Sequence, residues 1–450
     1  MRKLKKINLD DVIVYIYGIA IVLGSIIYDK TSLPLGWELA KVEFWQLFSL
    51  LVIFLWIIRT SYQYIRNKTK PETPSKAIVL LFIAFILALI FSDKSYIFIK
   101  ANETTALYSW IIKLFSKEGG IDGRVALWGN QFRYFGLITI SLILSSALIL
   151  KSAIKPKNWK SLFYFFLLSS LLQSIWAISQ FLSLIGEKEM LKEGKWIYGG
   201  YGQTNFLVGH LLVGLVVGYY FLHSKEKIYN YFAYSAIVII TLASILTLSY
   251  LGIFMILLCN AFLILQRLKD VEWLNTKLSI IFLASIIFIV PAINIVGGFN
   301  QDLLFRAYIW ADIYDYYLKR PFIERNMMSF MEMLFGSGFD NLIFLLSRSQ
   351  RILNPFIDRA HNIVFDLLSS AGLFGLVTSM YVLATGLKLN INENKNTTYA
   401  AFALLMLFIR SLIHTNSISN IVHLLILCAM VYALKTKPTS HNNKNAQRYA

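Results

Sequence analysis

The stretch DRAHNIVFDLLSSAGLFG (358–375) places Asp358, Arg359, His361 and Asn362 at the entrance of an otherwise apolar run. Other polar groups sit in similar places. Arg133, Gln203, Asn205 and His210 stand beside or just inside apolar runs, as do Ser249 and Tyr250. Arg410 and His414 are four residues apart, a spacing that shares one helix face. Arg306 opens RAYIWADIYDYYLKRP (306–321). These residue types suit one kind of chemistry. A guanidinium grips phosphate oxygens bidentately and keeps its charge. An imidazole can take a proton from a hydroxyl near neutral pH. Each also has a structural reading: the arginines can snorkel to headgroups, and His361 can cap its helix. His210 and His414 read more readily as structural than as catalytic. Trp310, Trp196 and Trp128 read as interfacial anchors.

The elements that must position these groups are greasy. The chain has 450 residues, 57% of them hydrophobic and 15% charged, with a mean hydropathy of +0.60. A soluble domain of that length carries far more polar surface. Apolar runs near the thickness of a bilayer recur throughout, predicting about twelve transmembrane helices: 11–28, 44–62, 77–92, 134–150, 160–185, 205–222, 229–248, 250–266, 278–297, 362–387, 399–415 and 418–434. The expected fold is an all-α polytopic membrane protein, a single integral membrane domain over 1–450. The run 11–28 follows MRKLKK with no small-residue cleavage site after it, so it reads as a retained span. The weakest break is Ser249-Tyr250, where no charge separates two runs. Cys259 and Cys428 lie inside apolar runs and read as small core residues.

Charge sets the sides. With the N-terminus in the cytoplasm, nearly all of the +18 net charge falls inside, about +17 against +1 outside. That is the positive-inside pattern, carried by RKLKK (2–6), RNKTK (66–70) and KPKNWK (155–160). The basic balance therefore serves topology and anionic lipid, and nucleic acid is not a partner. Both termini, including the tail 436–450, read as cytoplasmic. Two long outer loops follow, 93–133 and 298–361; loops of that length are usually functional. The larger, between spans 9 and 10, carries a helical segment ended by Pro321 and a glycine turn, FGSGFDN (335–341). The odd polar groups gather on this outer side, and few mark the inner half of any span. No HExxH, paired-cysteine, GxSxG or phosphate-loop motif is present, and Asp302, Asp312 and Asp315 are not spaced as a Mg²⁺ pair.

Four stretches resemble the O-antigen ligase and polymerase superfamily, which includes bacterial protein O-oligosaccharyltransferases. They are WGNQFRYFGLIT (128–139), YGQTNFLVGHLL (201–212), RAYIWADIYDYYLKRP with LFGSGFDN (306–321, 334–341), and RAHNIVFDLLSSAGLFGL (359–376). The resemblance covers roughly 120–390. It implies a membrane glycosyltransferase of GT-C-like architecture in the bacterial cytoplasmic (inner) membrane. Such an enzyme moves a glycan from an undecaprenyl-diphosphate carrier to a glycan, lipid or protein acceptor, metal-independently, without cofactor, and with inversion. His361 and Arg306 would be catalytic. Arg133, Arg410, Arg359, Asn205, Gln203, Asn362 and Tyr250 would contact lipid diphosphate or glycan. Two departures stand out. The family often has an arginine where LTLSYLG (246–252) has Tyr250, and FIERNMMSFMEML (322–334) interrupts the usual Pro-x-x-Gly-x-Gly. Two other readings compete: a flippase for the same lipid, which would want charges along a path through the bilayer, and a catalytically impaired relative.

Overall fold

The computed structural model of the chain describes residues 8–28, 36–67, 76–92, 96–100, 120–129, 135–185, 197–222, 226–268, 300–342, 359–388, 395–412, 414 and 416–433. These are overwhelmingly helical. With no water to satisfy peptide groups, a chain in lipid closes its hydrogen bonds within each segment. Among the described residues, eight helices of at least 15 residues precede the large loop: α1 (Leu9–Ile26), α2 (Gly36–Asn67), α3 (Lys76–Ile90), α4 (Leu137–Ala153), α5 (Trp159–Ser183), α6 (Thr204–Phe221), α7 (Lys227–Leu246) and α8 (Tyr250–Leu268). The loop region contributes α9 (Asn300–Tyr314), a π-helical turn (Asp315–Lys319), α10 (Arg320–Glu324) and α11 (Met327–Phe335). Last come α12 (Ile363–Lys388), α13 (Lys395–Ser411) and α14 (Ile418–Ala433).

Six helices, α1, α2, α5, α6, α7 and α12, are long and apolar enough to cross a membrane. The runs behind α3, α4, α8, α13 and α14 form shorter apolar helices. The expected span 278–297 lies outside the described residues. The break at Ser249-Tyr250 is real: α7 ends at Leu246, Leu248 turns back with φ +54°, and α8 starts at Tyr250. The loop 93–133 adds one short ribbon to the otherwise helical chain. Strands β1 (Tyr96–Lys100) and β2 (Gly120–Arg124) pair antiparallel, Tyr96 opposite Arg124.

Helix α6 is the axis of the bundle, buried along nearly its whole length; α5, α7, α8 and α13 pack around it. Its small residues allow close approach, as at Gly214, where a Cβ would stand 2.2 Å from Ser170. The core between the helices is not purely apolar. Lys41 Nζ donates to the carbonyls of Gly24 (3.0 Å), Ser25 (3.2 Å) and Ile27 (2.7 Å), placing a cation at the negative end of α1.

The large loop is sewn to α12 by backbone contact. Helix α12 breaks its φ/ψ pattern at Gly372 (φ 65°, ψ −170°). The interrupted ladder leaves carbonyls for other donors, and the amides of Ser337 and Gly338 reach Ser369 O (2.9 Å) and Ser370 O (3.1 Å). Gly336 (φ +79°) lies so close that a Cβ there would be 2.6 Å from the Ala371 and Gly372 nitrogens. The inserted residues 322–334, which interrupt the expected Pro-x-x-Gly-x-Gly, therefore leave the glycine turn seated on α12. Gly336→Ala is expected to cost at least about 1–3 kcal/mol from its glycine-only backbone conformation, plus the clash. Thermal unfolding in detergent measures it; a native melting temperature would show that the turn can leave its seat harmlessly.

Candidate functional site

The polar entrance of α12 is built by local and distant contacts together. Asn362 caps the helix, its Oδ1 accepting from the Val364 amide at 2.8 Å. Asp366 reaches back to accept the Ala360 amide (2.7 Å), and Trp310 Nε1 donates to the Ala360 carbonyl (2.8 Å) while its ring stacks on Phe365. Both backbone polar groups of Ala360 are thus held, and with them the peptides on either side of it. The next residue, His361, has φ +56°, a left-handed conformation uncommon for a side chain with a Cβ. Held there, its ring stands edge-on to His414, centroids 5.3 Å apart.

His414 lies three residues past the end of α13, its amide donating to Arg410 O (3.1 Å). Arg410 is buried, yet it does not snorkel. Its Nη1 donates to Asn416 Oδ1 (2.7 Å) and its Nη2 to the Asn205 carbonyl (2.7 Å), with Phe206 under the guanidinium. Asn205 Oδ1 accepts from Ser249 Oγ at 2.8 Å. Arg306, half-buried on α9 one turn before Trp310, lies within electrostatic reach of Arg410. Two guanidinium groups and two imidazoles therefore converge from α9, the α12 entrance and α13. Guanidinium and imidazole groups gathered in this way are donors that suit phosphate oxygens.

The remaining expected site residues divide. Arg359 is drawn into a structural pair with Asp340 (2.8 Å); Asp340 also accepts the Phe135 amide (2.8 Å), and Phe135 lies under the guanidinium. Gln203 is the N-cap residue of α6 and makes no side-chain cap bond. Tyr250 leaves its ring largely exposed, although its neighbour Ser249 is one bond from the carbonyl-bearing Asn205 that holds Arg410. Arg133 lies outside the described residues. His210 is structural in position: buried, within hydrogen-bonding distance of Ser169 (3.0 Å) and Ser170 (3.2 Å), and 3.4 Å from His423.

Sequence reading missed Asn416, Asp340 and the task of Trp310, which is a strut for the His361 turn rather than an anchor alone. Asn416 had a signal, the polar run HTNSISN (414–420) between two apolar helices. Adjoining the α12 entrance is an apolar cavity of about 190 Å³, walled by Phe85 of α3, Leu144 of α4, Leu383 of α12 and Cys428 of α14. Arg359, Asp366 and Asn416 also line it. Among the described residues no three His, Cys, Asp or Glu side chains group as a metal site would. Compared with known proteins, the chain matches no family model and no curated protein.

Proposed function

We propose that the chain is a membrane glycosyltransferase of the O-antigen ligase and polymerase kind. It transfers a glycan from an undecaprenyl-diphosphate carrier to an acceptor hydroxyl at the outer face of the bacterial cytoplasmic membrane. The carrying observation is the convergence of Arg306, Arg410 and His361 beside an apolar cavity whose lining includes Arg359, Asp366 and Asn416. A lipid diphosphate has the matching shape: an apolar tail, a dianionic head and a sugar beyond it. Twelve spans, with 298–361 outside and both termini inside, give the arrangement its sidedness.

The chemistry needs little more. The acceptor oxygen attacks the anomeric carbon from the face opposite the diphosphate, and its proton passes to His361. The anomeric C–O bond breaks, its electron pair leaves with the lipid diphosphate, and the configuration inverts. Arg306 and Arg410 offset the charge that grows on the leaving oxygen. The protein's work is placement, charge balance and deprotonation. In this reading Arg410 supplies the cation that the family places at the Tyr250 turn, since Ser249 and Arg410 share Asn205.

Arg306→Ala tests it. Glycan transfer from a labelled lipid-diphosphate donor in membranes should be lost, by about 10²–10³-fold as for other preorganised charge stabilisers. Arg306→Lys should restore little, because lysine lacks the planar fork. Native transfer by Arg306→Ala would remove Arg306 from the site.

A further inference from the structure

The insert 322–334 has its polarity inside out. It forms the corner between α10 and α11. Phe322 is 64% exposed, Ile323 67% and Met327 75%, while Ser329 (2%) and Glu332 (8%) are buried against the protein. Beneath this face lies a polar knot: Arg320 donates to Glu332 and covers the Tyr316 ring at 3.8 Å, while Glu324, half exposed at the rim, lies 3.5 Å from Arg320 and accepts from Ser329 Oγ at 2.7 Å. Burial alone would lower the Arg320 pKa, but Tyr316, Glu332 and Glu324 together hold it above its ordinary value. A helical hairpin bathed in water sorts the other way, with apolar groups in and polar groups out. An outward apolar face over an inward polar one suits a medium less polar than the protein's own surface.

The height of the corner agrees. Phe335, at the end of α11, stacks on Phe91 just past the end of α3 (5.0 Å) and meets Phe374 of α12 edge-on (6.2 Å). The turn that follows binds α12 at Ser369 and Ser370, about 10 Å along the helix from Ile363. Beside it, α3 exposes Ile86 and Ile90, and α12 exposes Val377, side chains that face lipid if these helices cross the bilayer. The apolar corner continues that belt. Its tip carries exposed Arg325, in a left-handed conformation, and Asn326, whose Oδ1 caps α11.

We infer that the α10–α11 corner is a monotopic foot that inserts Phe322, Ile323, Met327 and Met328 into the interfacial layer of the same membrane, with Arg325 among anionic headgroups. Such a foot binds by buried apolar area together with attraction to anionic lipid. Because it is braced to α12 through the glycine turn and to α9 through the π-helical turn, where Tyr317 hydrogen-bonds Ser337, it fixes the height of Arg306 and His361 above the bilayer. The inference needs the chain to lie in a membrane but no particular chemistry, so its test reads no transfer activity.

The experiment uses the full chain in nanodiscs of phosphatidylethanolamine and phosphatidylglycerol. Ile323→Cys and Met327→Cys each carry a nitroxide, the unsubstituted chain gives the background from Cys259 and Cys428, and Lys227→Cys is the exposed control. Collisions with dissolved oxygen should exceed those with a water-soluble nickel chelate at 323 and 327, with the order reversed at 227. Nickel dominance at 323 and 327 would overturn the foot in favour of a water-facing surface. Protection from both reagents would also overturn it, in favour of a covering protein, such as a second copy. Should either variant fail to fold, Phe322→Cys and Met328→Cys put the same question.

Discussion

His361→Gln is expected to transfer glycan about 10²–10⁴-fold more slowly than the native chain, the usual loss for a general base, while still binding donor lipid. The expectation rests on how the ring is held. Trp310 holds the carbonyl of Ala360 and Asp366 its amide, and Asn362 starts the helix just after His361. Between them His361 has little freedom except in its own side chain. Glutamine fills similar space and can hydrogen-bond, but it cannot take the acceptor's proton. Native activity should rise with pH as the imidazole becomes neutral, then level off; the glutamine variant should lose that limb. A second substitution separates catalysis from strain. Holding a Cβ-bearing residue at φ +56° costs roughly 1–2 kcal/mol, so His361→Gly should be at least as stable as the native chain and still inactive. Native turnover and an unchanged pH profile in His361→Gln would make the residue a helix-entrance cap with no part in the reaction.

Arg410→Ala carries the second large effect, and it divides between folding and binding. Two charge-assisted hydrogen bonds disappear, to Asn205 O and Asn416 Oδ1, each worth about 1.5–3 kcal/mol. Gly209 packs against the guanidinium stem, a Cβ there coming within 3.3 Å of Arg410 Nε, so truncation also opens a void. A loss of several kcal/mol should appear as a lower melting temperature in detergent. Arg410→Lys is the more informative change. An ammonium on that stem cannot reach both partners, so the charge persists but loses its aim. The variant should fold with a modest loss and bind lipid diphosphate at least about tenfold more weakly, the equivalent of one such hydrogen bond. Donor binding at native affinity in Arg410→Lys would make the residue a buried brace between α6 and α13.

How much of this was legible beforehand follows from what sequence patterns report. Apolar runs report burial in lipid or core, and each run with described residues became a helix, the disputed break at Ser249-Tyr250 included. Runs do not report where a helix is interrupted. SSAGLFG reads as continuous greasy helix, and the kink at Gly372 exists because a distant turn supplies donors at Ser369 and Ser370. The ribbon formed by β1 and β2 escaped because five-residue strands in a loop carry almost no period. In the candidate site, His361, Arg306 and Arg410 stood out as polar groups in apolar surroundings. Arg359 stood out equally but is spent on Asp340, 19 residues away in the chain and 2.8 Å away in space. Nothing local distinguishes a guanidinium aimed at a carboxylate from one waiting for a phosphate. Trp310, Asp366 and Asn416 went unremarked as site residues because their tasks are hydrogen bonds to partners that only folding brings near.

The seam between the large loop and α12 bears on how such a protein can change over evolutionary time. Asp340 and Arg359 close on each other, and Leu342 and Ala360 share one small apolar cluster. The chain leaves this spot at residue 342 and returns to it at 359. A change at Asp340 or at Arg359 alone leaves its partner's charge buried without its mate, so the two positions are free to change only together, and the seam passes from ancestor to descendant as a pair rather than as two residues.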